Sequence, residues 1–421
     1  MVNKKYKYEQ ILAFLLGISI CEGISVVFSF GSTSFTFTEV LSPLVFIILF
    51  SKKNEHFFGF LKNIPLAFKL FFLIVIFSII PGIIYFGIEA LYRYLVGIIY
   101  FFVVLTMAAN VYMLKGNHSS LYKGMLWGLS LNILFSLVCY ISFQAGAVIS
   151  LENLFPRDNF FKPVLSFRSQ GFFLEPSHFI RYFSSIVLIL IANVRFKNQA
   201  LKYMLIIATI MAVILSFSGS IVILSVGLLM YFLVKKNRTR KQIKISTVLI
   251  FALVVFSCIF LFLSSNILSN MEEIFTRIIT GADIMDVGNA ERLDGMNIIS
   301  KNFDVAIIGC GWNLIGTLIE TRNLGIVSAF SEILEMLIEI GFFGGLVYAF
   351  AVLSTSLNLI KEKRSEAVAL GISLLIIFAI QGGTDYPFNT CTMLVFGLAI
   401  CKFSDKKMML VPNNSIKDKK M

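Results

Sequence analysis

The chain has 421 residues, of which 57% are hydrophobic and 14% are charged, and its net charge is +12. Soluble domains carry about 25% charged residues, and the mean hydropathy here is +0.86, so the composition excludes an ordinary soluble protein and indicates a chain embedded mostly in lipid. The six cysteines form no CxxC or metal-ligand spacing, which argues against a disulfide framework.

The amino terminus is basic and is followed by an apolar run from Ile11 to Phe30. A cleaved signal peptide has a shorter apolar region and an A-x-A-like cleavage site. We therefore interpret this run as the first membrane span, with a cleaved signal peptide as the alternative.

The apolar runs predict an all-α polytopic membrane protein that forms a single integral membrane domain, residues 1–421. A spanning helix needs about 20 residues, and about twelve transmembrane helices are expected. Ser216 to Ser220 divide the eighth run from the seventh only weakly. The twelve runs lie at 10–30, 37–51, 67–87, 92–113, 122–148, 177–194, 201–217, 220–234, 245–264, 329–358, 366–381 and 387–402.

The distribution of basic residues predicts the orientation. If both termini are cytoplasmic, 27 of the 36 Lys and Arg residues lie on the cytoplasmic side, many of them in short loops such as 235–244. This is the bias of the positive-inside rule, which explains the positive charge without nucleic acid as a partner.

Two long connections, 149–176 and 265–328, then lie on the outer side, whereas the cytoplasmic loops reach only about fifteen residues. Loops that a rigid scaffold positions often carry function. Chemistry is therefore expected at the outer surface of the membrane.

The first loop ends in a cluster of charge around Glu175, the residue before Pro176. Proline suits the first position of a helix, and a helix N-terminus with free N–H groups at Ser177 and His178 attracts phosphate. With Arg168 upstream and Arg181 one and a half turns into the helix, the segment predicts a cationic pocket that holds one ionised carboxylate. In the alternative interpretation, Glu175 only caps the helix and Arg181 reaches the membrane interface.

The second loop contributes Arg277 and Arg292, which amphipathic segments along the membrane surface would direct at a phosphate. The following span carries Glu332, Glu335 and Glu339 on one helical face. Ionisable residues in a span usually face a cavity or a partner. These glutamates predict an acidic groove for sugar hydroxyls, with pairing to the loop arginines as the alternative.

Several common sites are absent from the sequence, which has no P-loop, no Rossmann glycine pattern and no HExxH motif. The histidines are scattered, and the outer loops have no close pair of aspartates. No cofactor and no metal are expected.

The stretch from Phe167 to Phe179 resembles the "R-x-x-G-x-F-x-E-P-S-x-F" motif of bacterial oligosaccharide repeat-unit polymerases, the Wzy group. Arg292 followed by Gly309-x-Gly311-Trp312 resembles the second-loop pattern that these polymerases share with the O-antigen ligases. The run Leu334 to Gly344, with its "E-x-G-x-x-G", resembles the span that follows.

This resemblance implies a fold of the C-type glycosyltransferases, acting on undecaprenyl-pyrophosphate-linked oligosaccharides at the periplasmic leaflet. By matching position, Glu175, Arg168 and Arg292 would be catalytic. Arg181, His178, Arg277, Glu332, Glu335 and Glu339 would bind substrate. A chain-length regulator and a flippase are the protein partners that the family implies, beside membrane lipid.

Two alternatives stay open. An O-antigen ligase has the same fold, but ligases typically carry a His-Asn pair where this chain has Phe330 and Ser331. A flippase or other transporter is expected to show paired repeats and broken helices, and neither is visible in the sequence.

Overall fold

A computed structural model describes the backbone of residues 2–20, 26–30, 33–145, 171–172, 176–194, 196, 199–215, 227–234, 298–299, 301–322, 324, 332–362, 364–380 and 390–410. These residues are predominantly helical, as the sequence predicts. The first half contains α1 (Val2–Ser19), α2 (Phe37–Asn63), α3 (Leu66–Phe77), α4 (Ile79–Phe86), α5 (Ala90–Met113), α6 (His118–Gln144), α7 (Pro176–Asn193) and α8 (Gln199–Ile214). The second half contains α9 (Phe303–Ile308), α10 (Ile315–Thr321), α11 (Glu332–Ile360), α12 (Ser365–Ile380) and α13 (Thr390–Leu410).

The prediction of a first span over 11–30 is wrong. Helix α1 ends at Ser19, and residues Val26–Phe30 form strand β1, which pairs antiparallel with strand β2 (Thr33–Thr36). The Thr38 hydroxyl donates a hydrogen bond of 2.6 Å to the Ser19 carbonyl, so α2 starts at the level where α1 stops. A two-stranded hairpin thus adds to the helical bundle that the sequence predicts.

Four helical segments in the described part of the chain are long and apolar enough to cross a membrane: Leu66–Phe86, Ala90–Met113, Lys115–Ser142 and Leu334–Ile360. Their lengths of 21 to 28 residues fit the hydrocarbon thickness of a bilayer. Large apolar side chains point outward from them, with Ile84 74%, Phe343 69% and Phe350 66% exposed. Lipid is the solvent that makes such a surface favourable, so the protein is embedded in a membrane.

A polar contact joins the helix ends on the side that the charge bias predicts to be cytoplasmic. The φ of −140° at Lys53 interrupts α2, and the Lys53 ammonium donates to the Glu9 carboxylate at 2.8 Å. The Asn117 amide donates to the same oxygen at 2.9 Å. Because Glu9 and Asn117 are buried, these bonds fix α1, α2 and the start of α6 to one another.

Two of the spanning segments are broken on the opposite side. Ser78 separates α3 from α4, and Gly341 interrupts α11 with a φ of 73°. At 1.5 Å per residue, each break lies about 10–12 Å inside the end of its apolar segment. Broken helices expose backbone groups that need partners. Near Ser78 the Tyr94 hydroxyl of α5 donates to the Val75 and Ile76 carbonyls, whereas at Gly341 the partners come from the second long loop.

Candidate functional site

Residues 309–314, which we call the re-entrant turn, fill the break in α11. The N–H of Cys310 donates to the Ile338 carbonyl, and the N–H of Gly311 donates to the Glu339 carbonyl, both at 2.8 Å. These carbonyls are available because the helix is interrupted at Gly341. The described part of the predicted outer loop therefore returns into the bundle.

Glycine is required where this turn meets α11. Gly309 has a φ of 94° and Gly341 a φ of 73°, values that L-residues with a Cβ rarely adopt. A Cβ at Gly309 would lie 2.6 Å from the Glu339 carbonyl oxygen, and one at Gly341 would lie 2.5 Å from the Ile307 carbonyl oxygen. The two backbones approach too closely for any side chain between them.

The other side of the re-entrant turn contacts the second break. The Trp312 N–H donates to the Ser78 hydroxyl at 3.0 Å, and the buried Trp312 ring packs edge-on against Phe101. Asn313 has a φ of 61°, and its amide donates to the Arg93 carbonyl at 2.8 Å. The turn thus connects α11 with α4 and α5.

The Glu339 carboxylate belongs to this same unit. It is buried and accepts hydrogen bonds from the backbone N–H groups of residues 313–315. A buried carboxylate is tolerated when hydrogen bonds compensate for the lost water. The structure therefore gives Glu339 a partner inside the protein, namely the backbone of the re-entrant turn and the start of α10.

The two other glutamates of the predicted acidic groove lie on the same helical segment, ahead of Gly341. Glu335 is partly exposed and precedes Glu339 by about one helical turn, and the backbone of Glu332 begins α11. The side chain of Glu332 lies outside the described residues. Substrate binding by the three glutamates stays a prediction, with Glu335 the described member that solvent can reach.

Two ion pairs lie at the protein surface beside the re-entrant turn. Arg93 donates to both carboxylate oxygens of Glu320 at 2.8 and 3.1 Å. Arg322 donates to Asp304 at 3.3 Å and also to the Asn302 side chain. Desolvation alone would raise the pKa of Asp304, but its hydrogen bonds from Arg322 and from the Val305 N–H hold that pKa below its usual value. These exposed pairs contribute at most about 1 kcal/mol each.

Labelling of Cys310 tests whether the turn is inserted. The Cys310 side chain is fully buried, so we expect no reaction with a membrane-impermeant maleimide in intact membranes when all other cysteines are replaced by alanine. Thr321 is exposed, and Thr321→Cys in a background that also lacks Cys310 should label readily. Labelling of Cys310 at the rate of the Thr321→Cys control would contradict the insertion.

The start of α7 agrees with the sequence prediction. The helix begins at Pro176, and Arg181 and His178 lie in its first two turns, although their side chains lie outside the described residues. Glu175, Arg168, Arg277 and Arg292 also lie outside them. Of this region the structure describes only the helix start and the turn at Gly171 and Phe172 that precedes it, so the cationic pocket stays a prediction.

That turn is held by α6. The Phe172 N–H donates to the Asn132 side-chain oxygen at 2.8 Å, and the Phe172 ring stacks on Phe135 with centroids 4.4 Å apart. Gly171 has a φ of 59°, and a Cβ there would lie 2.7 Å from the same Asn132 oxygen and 3.1 Å from the Phe179 ring. Any side chain at the glycine position of the "R-x-x-G" motif would therefore clash with Asn132 and Phe179.

Several buried polar residues of the bundle were not predicted from the sequence, among them Asn132 and Glu39. Glu39 is a carboxylate that accepts from the Tyr100 hydroxyl at 2.7 Å and from the Thr36 N–H at 2.8 Å. The order Thr36-Phe37-Thr38-Glu39 is a capping-box sequence, which could have located the start of α2. No sequence signal distinguishes Asn132 from a residue that bonds only within its own helix.

The fold and the site together define an integral membrane protein with a helical bundle and a re-entrant turn on one side. Among the described residues, no group of three or more His, Cys, Asp or Glu side chains could hold a metal ion. Comparison with models of known protein families, with curated proteins and with solved structures finds no match.

Proposed function

We propose that this protein is a polymerase of lipid-linked oligosaccharide repeat units, working at the periplasmic face of a bacterial inner membrane with both termini in the cytoplasm. Its substrates would be undecaprenyl-pyrophosphate-linked oligosaccharides, and its product an O-antigen, capsular or exopolysaccharide chain. Energy for the transfer comes from the pyrophosphate linkage of the donor, so no nucleotide is consumed.

In the proposed reaction, a sugar hydroxyl of one repeat unit attacks the anomeric carbon of the growing chain. Glu175 accepts the hydroxyl proton as general base, a new glycosidic C–O bond forms, and the bond from the anomeric carbon to the lipid pyrophosphate breaks. The leaving pyrophosphate keeps the electron pair. Arg168, Arg181, Arg277 and Arg292 would stabilise its charge, while His178 and Glu335 would bind the sugars.

One observation carries the proposal: the glycines that support the resemblance occupy positions where this fold demands glycine. Gly171, Gly309, Gly311 and Gly341 all have positive φ. Backbone atoms crowd Gly309 and Gly341, the Leu314 side chain and the Ser78 carbonyl crowd Gly311, and the Asn132 and Phe179 side chains crowd Gly171. The second-loop and following-span motifs, distant in sequence from the first, dock on each other through Gly309 and Gly341. Because these motif glycines have a physical role in the fold, we take the resemblance to be more than a chance match within an apolar sequence.

Purified protein in vesicles with undecaprenyl-pyrophosphate-linked repeat units tests the proposal. We expect the glycan to lengthen with equal substrate on both leaflets, and Glu175→Gln to reduce lengthening by about 10²-fold or more, the usual contribution of a general base. Glu320→Gln removes only an exposed partner of Arg93 and should retain activity. Normal chain length from Glu175→Gln would end the assignment of the base.

The expectation that the chain lacks broken helices is wrong, because α11 is broken at Gly341. This removes one argument against the transporter alternative. Transporters use such breaks to bind substrate near the bilayer midplane. Here the break lies toward one end of the span, and the re-entrant turn occupies it. Movement of lipid-linked repeat units between leaflets without lengthening, in the same vesicles, would favour a flippase.

Deleting the protein in cells distinguishes a polymerase from the ligase alternative. Loss of a polymerase leaves single repeat units attached to the surface lipid, because ligation continues. Loss of a ligase leaves no glycan attached. We expect deletion of this chain to give single repeat units, visible as one short band by electrophoresis.

A further inference from the structure

Asn132 lies in the middle of α6, facing the bundle. Its side chain is buried, and its amide nitrogen donates to the Gly128 carbonyl of the preceding turn at 3.0 Å. Its amide oxygen accepts from the Phe172 N–H at 2.8 Å. The first bond is within the helix, whereas the second joins α6 to a segment forty positions later in the chain.

A role limited to α6 does not explain this residue. If Asn132 served only α6, a serine would be enough at this position, because its hydroxyl also donates to the preceding turn and buries less polar surface. Ser130 makes such a bond to the Leu126 carbonyl at 2.8 Å in the same helix. Burying an amide in a membrane protein is costly unless both of its polar atoms are satisfied. The Asn132 oxygen is satisfied by the backbone N–H of Phe172, which belongs to a different segment of the chain.

The bond also fixes the depth of the turn. Asn132 precedes Gln144, the last residue of α6, by twelve positions, so the Phe172 N–H lies about 18 Å below that helix end. Stacking of Phe172 on Phe135, one turn further along α6, holds the turn at the same level. The chain therefore starts α7 from within the bundle.

We propose that Asn132 is a positioning residue for the reaction: it holds the Gly171–Phe172 turn, and through it sets where the chain enters α7 at Pro176. This inference rests on the proposed function, since it concerns the placement of Glu175, the residue immediately before Pro176. Asn132 does not touch substrate. Its contribution is geometric, and misplacement of a catalytic group by about 1 Å costs up to about 10²-fold in rate.

Three variants test it in the vesicle assay. Asn132→Leu keeps the branched shape of the side chain but removes both hydrogen bonds, and Asn132→Asp in its protonated form restores an acceptor for Phe172 and a donor for Gly128. Ser130→Ala is the matched control, because it removes a hydrogen bond of α6 that does not reach Phe172. We expect Asn132→Leu to lower kcat by about 10²-fold with KM little changed, Asn132→Asp to recover most of it, and Ser130→Ala to behave as wild type.

A second readout is independent of activity. Cysteines introduced as Phe135→Cys and Phe172→Cys, in a background without other cysteines, should be joined by a short bifunctional thiol reagent. We expect Asn132→Leu to reduce the yield of this cross-link severalfold and Asn132→Asp to restore it, with equal protein in the membrane in every case.

The outcomes separate the two proposals. An unchanged cross-link in Asn132→Leu, or an unchanged kcat despite a lost cross-link, overturns the positioning role and leaves the polymerase proposal intact. A KM effect without a kcat effect also overturns it. A wild-type protein that lengthens no glycan overturns the polymerase proposal, and the cross-link then decides only whether Asn132 holds the turn.

Discussion

Replacing Gly341 by alanine should destabilise the protein by about 3 kcal/mol or more, because two costs coincide there. A φ of 73° with a ψ of 169° lies in a region that is essentially restricted to glycine, which costs about 1–3 kcal/mol for another residue. The added methyl would also lie 2.5 Å from the Ile307 carbonyl oxygen and 2.7 Å from the Ile308 carbonyl, and overpacking typically costs a further 1–3 kcal/mol. Backbone atoms cannot rotate away as a side chain can.

Gly87 offers a matched control for this variant. It has the same φ of 73° and an extended ψ of −167°, but nothing lies within 4 Å of the position its Cβ would take. Gly87→Ala therefore carries the conformational cost without the clash. The difference between the two variants in thermal stability in detergent measures the approach of the re-entrant turn to α11.

The Gly341→Ala variant should also release the turn. If residues 307–310 withdraw from α11, the Cys310 N–H loses the Ile338 carbonyl and its thiol becomes accessible to maleimide. We expect labelling of Cys310 in Gly341→Ala and not in Gly87→Ala. Equal loss of stability in the two variants, with Cys310 protected in both, would show that the close approach is absent.

Helix positions were largely predictable because a spanning helix needs a long apolar run. The prediction for residues 177–194 differs by one residue from the observed Pro176–Asn193, and the start of α7 followed from the preference of proline for a first helical position. Similar agreement holds for the run 92–113 and α5. Local sequence is enough to locate these helices, because the apolar length that a spanning helix needs can be read directly from the sequence.

The error at residues 11–30 has a local cause. Hydropathy counts apolar residues but does not separate a helix from a strand, and Val26, Val27 and Phe28 are residue types that favour strands. The capping box that begins at Thr36 marks the start of α2 after the hairpin. Strand propensity and the capping box, rather than apolar length, determine the structure of this segment.

The candidate site was less predictable because its geometry depends on contacts between distant segments. The three glutamates lie on one helical segment ahead of Gly341, but residues 307–311 approach the break that follows them, and this contact is not visible in the sequence. Glu339 resembles a ligand-binding carboxylate in sequence, but in the fold it holds backbone N–H groups. No local pattern gives that partner.

Substitutions where α1 crosses α6 should have a comparable effect on stability. Gly17 and Gly124 face each other across this crossing: a Cβ at Gly17 would overlap the Leu121 carbonyl oxygen and lie 2.9 Å from the Met125 nitrogen, and a Cβ at Gly124 would overlap the Phe14 carbonyl oxygen. Small residues permit such backbone contact between membrane helices. We expect Gly17→Ala and Gly124→Ala each to cost about 3 kcal/mol, the upper range for overpacking.

The double variant gives the sharper test. Because one methyl already forces the helices apart, the second adds little, and the two losses of stability should fall well short of additive, by about 1 kcal/mol or more. Gly116→Ala, where nothing lies within 4 Å, should have almost no effect. Since α6 also carries Asn132 and Phe135, a displaced α6 should weaken the cross-link between positions 135 and 172 as well. Strict additivity with an unchanged cross-link would mean that α1 does not set the position of α6.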